Sequence, residues 1–418
     1  MSKLKQLFHS GAIPLSRFLR WLLLSCSLGL AIGLVGAAFY HSIRIVTALR
    51  LSHPALLLLL PAAGAGIVLL YRVCGMENDR GTNLVLVAAR QAEPMHLRTA
   101  PLIFLSTVLT HLAGGSAGRE GAALQLGGSI GAATGRALRL DDRDRRMLVM
   151  CGMSAAFSAL FGTPITAAIF SMEVVSVGIL HYSAFVPCLF SALSALELAK
   201  LLGVHGEHFL VTGIPAVSPL SIAQCVAMGL LCALLSILFC TAMHAAPHLY
   251  ERVTKKPVIR AVLGGALLIL LTFLVGGQDY NGAGSHIIER ALDGDARPEA
   301  FLLKILFTAV TLGAGFRGGE IVPVLFTGAT FGCVAGPLLG LSPSFGGALA
   351  MTGLFCGATN CPIASLLLSF ELFGGQSLPL FALCCAVSYM MSGYSGLYGE
   401  QKILYSKFRV ERFNNNTD

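Results

Sequence analysis

The sequence predicts an all-α integral membrane protein built from two inverted structural repeats, and three observations support this fold class. Hydrophobic residues make up 55% of the 418 residues and charged residues only 12%, so a water-soluble fold would lack the polar side chains to cover its surface. Apolar runs of helical length recur along the whole chain, as in proteins that cross the membrane several times. Motifs also recur about 200 positions apart, which indicates a duplicated unit.

The first repeated motif is a glutamate beside glycines. Glu120 lies between Gly118-Arg119 and Gly121, and Glu320 follows Gly318-Gly319 at a distance of 200 positions. Each motif opens an apolar helix with regularly spaced glycines. Charged side chains at membrane depth are costly, so they indicate function, particularly where glycines let the backbone approach an ion. Two simpler interpretations stay open: a polar loop at the membrane surface, or a carboxylate that caps its own helix.

A second pair of segments supports the duplication. Pro164 to Glu173 and Pro362 to Glu371 each run from a proline to a glutamate nine positions later. The glycine-rich passage from Gly276 to Gly284 lies about 200 positions after Gly81-Thr82-Asn83 and forms a third, weaker pair with it. Many apolar runs are shorter than the roughly 20 residues that a perpendicular span needs, so tilted and re-entrant helices are expected among full spans.

These patterns divide the chain into five parts. We expect an amphipathic cytoplasmic segment at 1–20, a first membrane repeat at 21–203, a linker at 204–220, a second membrane repeat at 221–400 and a cytoplasmic tail at 401–418.

Charge predicts the orientation of the chain. The net charge is +8, and many of the basic residues lie near the two ends: Lys3, Lys5, Arg17, Arg20, Lys402, Lys407, Arg409 and Arg412. By the positive-inside rule both termini are cytoplasmic, and a nucleic-acid partner is not expected. The basic start leads into an apolar span without a small-residue cleavage site, which argues against a removed signal peptide. The 12 cysteines lie mostly in apolar runs, which favours buried thiols over disulfides or zinc ligands.

The motifs predict an anion site made from helix ends. Helices that begin inside a membrane present free backbone amides and a partial positive charge at their amino ends. Candidate ends lie at 81–83, 118–121, 318–322 and just before Tyr398. A carboxylate among these amides would act as a tethered anion, so its protonation and the binding of a free anion would compete. This competition is a physical basis for coupling a proton to an anion.

Together, Gly118-Arg119-Glu120-Gly121, the partner motif from Gly318 to Pro323, the duplication and Tyr398 near the end resemble the CLC chloride channels and proton antiporters. The resemblance implies a CLC-like inverted repeat of tilted and re-entrant helices and a homodimer with one pathway in each subunit. It makes Glu120 the gating glutamate and Tyr398 the inner-gate hydroxyl, with Tyr394 as a rival for the second role. Glu320 joins Glu120 as a proton-coupled residue, and the anion-binding residues that the resemblance implies are Thr82, Asn83, Gly118, Arg119, Gly121, Gly319, Ile321, Val322 and Tyr398.

Three departures resemble the fluoride/proton antiporter branch of that family. The first motif at Thr82 and Asn83 lacks the serine and proline of chloride-type members, and Glu320 stands where an apolar residue is usual. Val174 occupies the position of the internal proton-transfer glutamate of chloride antiporters. Thr82 is unusual even for the fluoride branch. Fluoride holds its water tightly, and close donors such as the Asn83 amide, the Tyr398 hydroxyl and a protonated Glu320 suit it.

The resemblance therefore implies a fluoride/proton antiporter that exports fluoride across a bacterial inner membrane, with protons as the coupled ion. A chloride/proton antiporter and a voltage-gated-type chloride channel of the same family are the alternatives. A remote alternative from another class is an intramembrane serine protease, suggested by His111 before Ser116. No cofactor or metal is expected, because the His244 and His248 pair lacks a third ligand nearby in the sequence.

Overall fold

The computed structural model describes residues 2–409 and 411–417, with side chains from residue 15 onward except at 413. The side chains of Lys3 and Lys5 lie outside the described residues. The first half of the chain forms eight helices: α1 Ser2–Ser52, α2 Leu60–Val73, α3 Thr82–Gln91, α4 Thr99–Ala113, α5 Glu120–Ala137, α6 Asp142–Phe161, α7 Pro164–Glu173 and α8 Phe185–Leu201. A single helix therefore contains both the predicted amphipathic segment and the first span.

The second half repeats this order. Its helices are α9 Pro219–Val253, α10 Pro257–Val275, α11 Ser285–Leu292, α12 Ala300–Gly313, α13 Ile321–Leu338, α14 Pro343–Thr359, α15 Pro362–Phe373 and α16 Leu378–Met391. Within the described chain, six helical segments are long and apolar enough to cross a membrane, and four further apolar helices have only 10–17 residues. Short apolar helices of this kind are expected in a membrane fold with re-entrant segments.

Glycines set the closest helix contacts in both halves. A Cβ on Gly127 of α5 would lie 2.1 Å from the Gly152 carbonyl oxygen of α6. A Cβ on Gly332 of α13 would lie 2.1 Å from the Gly346 carbonyl oxygen of α14. Backbones approach this closely only where no side chain intervenes. The same packing thus fixes the two helices that begin at the glutamate motifs.

The paired Pro-to-Glu segments bond to each other across the repeat. Glu173, at the end of α7, accepts hydrogen bonds from the Ile363 and Ala364 amides at 3.1 and 2.8 Å. Glu371 of α15 accepts from the Ile165 and Thr166 amides at 2.9 and 2.8 Å. Each carboxylate caps the first turn of the equivalent helix in the other half. This exchange relates α7 and α15 by an approximate twofold axis.

The tail departs from the all-α expectation by forming a small sheet. Ser176–Val177 (β1) pairs in parallel with Lys402–Tyr405 (β2), which pairs antiparallel with Arg412–Asn416 (β3). These strands are too short to give a clear alternation in sequence, and β1 has its partner more than 200 positions away. The tail therefore packs on the segment after α7 and forms part of the folded structure.

Lys407 anchors the turn of this sheet. Its ammonium group donates to Asn360 Oδ1 at 2.5 Å and to the Tyr389 carbonyl oxygen at 2.9 Å, and it lies 4.4 Å from the centre of the Tyr389 ring. Burial lowers the pKa of Lys407 to about 8. The tail is thus tied to the junction of α14 and α15.

Candidate functional site

The two glutamate motifs meet where the loops before α5 and α13 pair. Gly118 N donates to Gly319 O at 2.7 Å, and Gly319 N donates to Gly118 O at 2.8 Å, which makes an isolated antiparallel bridge. A Cβ on Gly319 would lie 2.4 Å from Gly121 N, so this approach requires glycine. The bridge brings together the amino ends of α5 and α13, and with them Glu120 and Glu320.

Glu120 folds back on the beginning of its own helix. Its side chain is almost fully buried, Oε2 accepts from the Arg119 backbone N at 2.9 Å, and Oε1 lies 3.3 Å from Arg119 Nε. Arg119 also pairs with Glu207 at 3.3 Å and stacks 4.8 Å from the Tyr40 ring centre. The carboxylate thus uses donors at a helix amino end that a free anion would also use. This geometry agrees with a helix cap and with a tethered anion, so transport measurements must separate the two.

Glu320 precedes α13 and reaches the first turn of α5. A Cβ on Gly121 would lie 3.2 Å from Glu320 Oε2. That oxygen is buried and accepts no hydrogen bond from the described residues. A buried carboxylate oxygen without a donor is costly when it is ionised. Glu320 is therefore a group that a proton would stabilise at this position.

The first turn of α13 supplies backbone donors. Ile321 and Val322 are its first two residues and are buried, and the amides of a first helical turn have no intrahelical acceptor. Pro323, the next residue, has no N–H. Val322 lies close to the bridge, because a Cβ on Gly118 would be 3.1 Å from Val322 Cβ. The donors of this helix end are thus concentrated next to Glu320.

Helix α3 contributes the Thr82 hydroxyl, which bonds to the Gln125 amide of α5. Thr82 is its first residue and is buried, its hydroxyl donates to the Gly121 carbonyl oxygen at 3.4 Å, and Gln125 Nε2 donates to Thr82 Oγ1 at 3.2 Å. Gln125 Oε1 is buried without a partner among the described groups. Gln125 is thus both packed against α3 and left with an oxygen for a ligand or water.

Asn83 connects helix α3 to the loop that carries Tyr398. Its Oδ1 accepts from the Glu400 backbone N at 3.2 Å, so the side chain joins α3 to the loop that carries Tyr398. Arg90 strengthens this connection by donating to the Glu400 carbonyl oxygen at 2.8 Å. The sequence could not show this contact, because it joins residues more than 300 positions apart.

Tyr398 is the buried hydroxyl of the site. Its side chain is 2% exposed, its hydroxyl has no partner among the described residues, and it interacts electrostatically with both Glu320 and Glu120. Its carbonyl oxygen accepts from Thr417 Oγ1 at 2.6 Å, so the end of the tail holds the tyrosine loop. The rival Tyr394 is bonded to Ser406 Oγ at 3.1 Å, which leaves Tyr398 as the hydroxyl available to an anion.

Glu207 is a member of this site that sequence reasoning missed. It lies in the linker between α8 and α9, and no glycine motif or repeat marks it in the sequence. Its contact with Arg119 places an acid beside the guanidinium that flanks Glu120. Only the folded chain brings the two together.

The groups suggested for other functions have ordinary structural contacts. Ser116 Oγ bonds to Thr308 Oγ1 at 3.1 Å, and His111 Nδ1 bonds to the Thr107 carbonyl oxygen at 2.9 Å, so the two do not form a nucleophile and base pair. Among the described residues no group of three or more His, Cys, Asp or Glu side chains is arranged to hold a metal ion. The chemistry that remains is two carboxylates, one phenol and several amides at converging helix ends, which suits a small anion and a proton.

Comparison with known proteins adds an independent line of support. The family described as "Voltage gated chloride channel" matches residues 66–393. The "Chloride/fluoride channel protein" of Pseudomonas syringae pv. tomato is 34% identical over 395 residues, which cover 93% of this chain and 87% of that protein. The "Putative chloride channel protein ClcB-like" of Ralstonia nicotianae is 26% identical and covers 81% of this chain and 83% of its own length.

Solved structures give the same result for the fold. The crystal structure of a CLC-type fluoride/proton antiporter matches with a TM-score of 0.88 and 32% identity, over 91% of this chain and 97% of that one. A slow cyanobacterial Cl⁻/H⁺ antiporter matches with a TM-score of 0.74 and 18% identity, over 89% and 94%. The prediction of a mostly helical, multi-pass membrane fold with this architecture is confirmed.

Proposed function

Because the chain belongs to the voltage-gated chloride channel (CLC) family, we propose that this anion transporter is a fluoride/proton antiporter that exports fluoride. The observation that carries the proposal is Glu320, an acidic side chain at the amino end of α13, next to Glu120 and Tyr398. Two of the similar proteins, at 34% and 32% identity, have fluoride in their descriptions.

The site chemistry supports fluoride as the anion. Fluoride is small and strongly hydrated, so a selective site must replace its water with strong donors at short distance. The amides of α5 and α13, the Tyr398 hydroxyl and a protonated Glu320 are such donors. An ionised Glu320 would repel any anion. Occupation of the site by fluoride is thus linked to protonation of a carboxylate.

Exchange follows from competition at Glu120. With no anion present, the carboxylate takes the donors at the start of α5. A fluoride ion that takes these donors displaces the carboxylate, and the displaced side chain is stabilised by a proton. Movement of the protonated side chain in one direction and the anion in the other couples the two gradients.

The location, orientation and oligomeric state of the protein are also part of this proposal. We place it in the bacterial inner membrane with both termini in the cytoplasm, because of the basic residues near the two ends. We expect a homodimer with one pathway in each subunit, as the family resemblance implies. Export of fluoride would then protect a cytoplasm in which hydrogen fluoride has dissociated.

Ion flux from sealed liposomes tests the proposal. The purified protein is reconstituted, and fluoride and proton movements are recorded together with a fluoride electrode and a pH electrode. We expect a fluoride gradient to drive proton movement in the opposite direction, and chloride to give a smaller flux. Coupled movement with chloride as the better substrate would support a chloride/proton antiporter instead. A flux that ignores a pH gradient and carries current at a channel rate would overturn antiport.

A further inference from the structure

Asp79 and Arg317 form an ion pair at one end of the site. Asp79 lies in the loop between α2 and α3, and Arg317 lies in the loop between α12 and α13, directly before Gly318. Arg317 Nη1 is 3.7 Å from Asp79 Oδ2, with the Asp79 side chain fully buried and the Arg317 side chain 25% exposed. Neither Asp79 oxygen accepts a hydrogen bond from the described residues. This pair is therefore held by charge alone, and its acid is poorly satisfied.

The pair has a counterpart at the other end of the bridge. Arg119 stacks on Tyr40 and pairs with Glu207, whereas Arg317 stacks 4.3 Å from the Tyr71 ring centre and pairs with Asp79. Each arrangement has an arginine next to one of the bridged loops, an aromatic ring beneath it and an acid beside it. The two approaches to the glutamates are thus built in the same way.

The pair is continuous with the central site. A Cβ on Gly81 would lie 3.9 Å from Arg317 Nη1 and 3.5 Å from Gln125 Nε2. Gln125 in turn bonds to Thr82, which contacts the first turn of α5. The unpartnered Gln125 Oε1 lies along this line of contacts. These contacts therefore connect an anion beside Arg317 to the donors of the central site through Gly81, Gln125 and Thr82.

The surroundings of Arg317 favour an anion. A cavity of about 150 Å³ opens here, and its charged lining residues are Arg72, Arg260 and Arg317 together with the acid Glu77. Arg72 is hydrogen-bonded to Glu77 at 2.8 Å and Arg260 to Glu251 at 3.0 Å. In contrast, Arg317 is beyond hydrogen-bond distance of its acid. The cavity has room for a small anion with some of its water, and Arg317 has the guanidinium donors to bind it.

We propose that Arg317 is a second binding position for a small anion, and that the Asp79 carboxylate occupies it when no anion is there. An incoming anion displaces Asp79 from the guanidinium and then passes to the donors of α3 and α13. Asp79 thus acts at this end of the pathway as a competing, tethered anion. The inference deepens the proposed function and rests on it, because it assigns a step in the route of the transported anion.

The dependence of flux on anion concentration tests this site. In the full-length protein in liposomes, initial fluoride flux is measured against fluoride concentration, with each membrane face supplied in turn. Arg317→Gln is expected to raise the half-saturating concentration about fivefold or more at one face. Asp79→Asn is expected to lower it about threefold or more at the same face, because the competitor is removed. Asp79→Glu keeps the competitor and is expected to remain within about twofold of the wild type.

The double variant separates competition from a structural effect. If Asp79 acts through Arg317, Arg317→Gln with Asp79→Asn behaves as Arg317→Gln alone. Asp295→Asn is the matched control, since Asp295 pairs with Arg290 at 2.7 Å on the exposed surface, and it leaves the half-saturating concentration unchanged. Should Arg317→Gln fail to fold, Asp79→Asn and Asp79→Glu still decide the question.

Failure of this inference differs from failure of the proposed function. If the wild type exchanges fluoride for protons but the Asp79 and Arg317 variants change only the maximal rate or the yield, the second anion position is wrong. If the wild type moves no protons with fluoride, antiport of fluoride is wrong, and the same variants are measured with whichever halide the wild type carries. An unchanged half-saturating concentration for that halide would then also overturn the second position.

Discussion

Glu120 illustrates how one carboxylate can be a helix cap and a gate at once. Its bonds to Arg119 are those of a side chain that stabilises the start of its own helix. The same donors point to the place where an anion would bind. What distinguishes this cap from an ordinary one is Glu320, whose carboxylate reaches the same helix turn through Gly121. Two carboxylates at one helix end repel each other when both are ionised, and under the proposed function a proton on one of them removes this repulsion.

Substitution of Glu120 tests the gate. Glu120→Gln keeps the size of the side chain and removes its titration, so we expect fluoride-driven proton movement to fall about 100-fold or more. Glu320→Ala removes a donor from the anion and is expected to lower fluoride flux about tenfold. Both are measured in liposomes with fluoride and pH electrodes. Undiminished proton coupling in Glu120→Gln would refute the gate assignment.

For Asn83, the sequence motif does not predict which residue its side chain contacts. The sequence predicts its amide N–H as an anion donor, and in the structure its Oδ1 accepts from Glu400 N. The residue therefore connects α3 to the Tyr398 loop, and its direct role at the anion stays a prediction. The motif placed the residue correctly at the start of a helix and could not show which neighbour its side chain would meet.

At the scale of elements, α7 and α15 depend on each other for their caps. Each begins with a proline and is capped by a glutamate from the other helix. The equal spacing from proline to glutamate is visible in the sequence. The exchange of caps between the halves is visible only once the chain has folded.

Loss of one cap is expected to destabilise the fold. Glu371→Ala removes two charge-assisted bonds to the start of α7, which we expect to cost about 1–3 kcal/mol. Thermal unfolding in detergent should therefore show a lower midpoint by a few degrees. Glu197→Ala is the matched control, because Glu197 forms an exposed pair with Lys200, and such pairs contribute little. Equal midpoints for the two variants would contradict a stabilising role of the cap.

The small sheet of the tail forms only because distant parts of the chain pair in the folded structure. Its strands are short, and β1 lies between α7 and α8 in the first half. Thr417 and Lys407 nevertheless hold the loop of Tyr398 and the junction of α14 and α15. The part of the chain expected to be a simple tail thus stabilises the position of a hydroxyl in the site.

On the scale of the whole molecule, the inverted repeat explains why the site is central. Equivalent loops from the two halves pair at the bridge of Gly118 and Gly319, and each half contributes one acid and one helix end. Next to this bridge, Arg119 and Arg317 have similar surroundings, because each stacks on a tyrosine and pairs with an acid.

The proposed homodimer can be measured directly. We expect purified protein in detergent to have a mass, corrected for bound detergent, of about twice the 43.9 kDa of one chain. Light scattering coupled to size-exclusion chromatography gives this value. Since each subunit is expected to have its own pathway, co-reconstitution of wild-type and Glu120→Gln chains should give coupled flux in proportion to the wild-type fraction. A monomeric mass at working concentrations would argue against the dimer.

The sequence by itself determined the membrane helices, the duplication and the two glutamate motifs, and it offered Tyr398, with Tyr394 as a rival, for the hydroxyl of the site. Apolar length, glycine spacing and charge at membrane depth are local properties, and the bilayer makes them decisive because buried charge is costly there. The tertiary structure alone decided which side chains meet: Glu371 with the start of α7, Asn83 with Glu400, and Asp79 with Arg317. These contacts join residues far apart in the chain, and their energies depend on distances and burial that no local pattern contains.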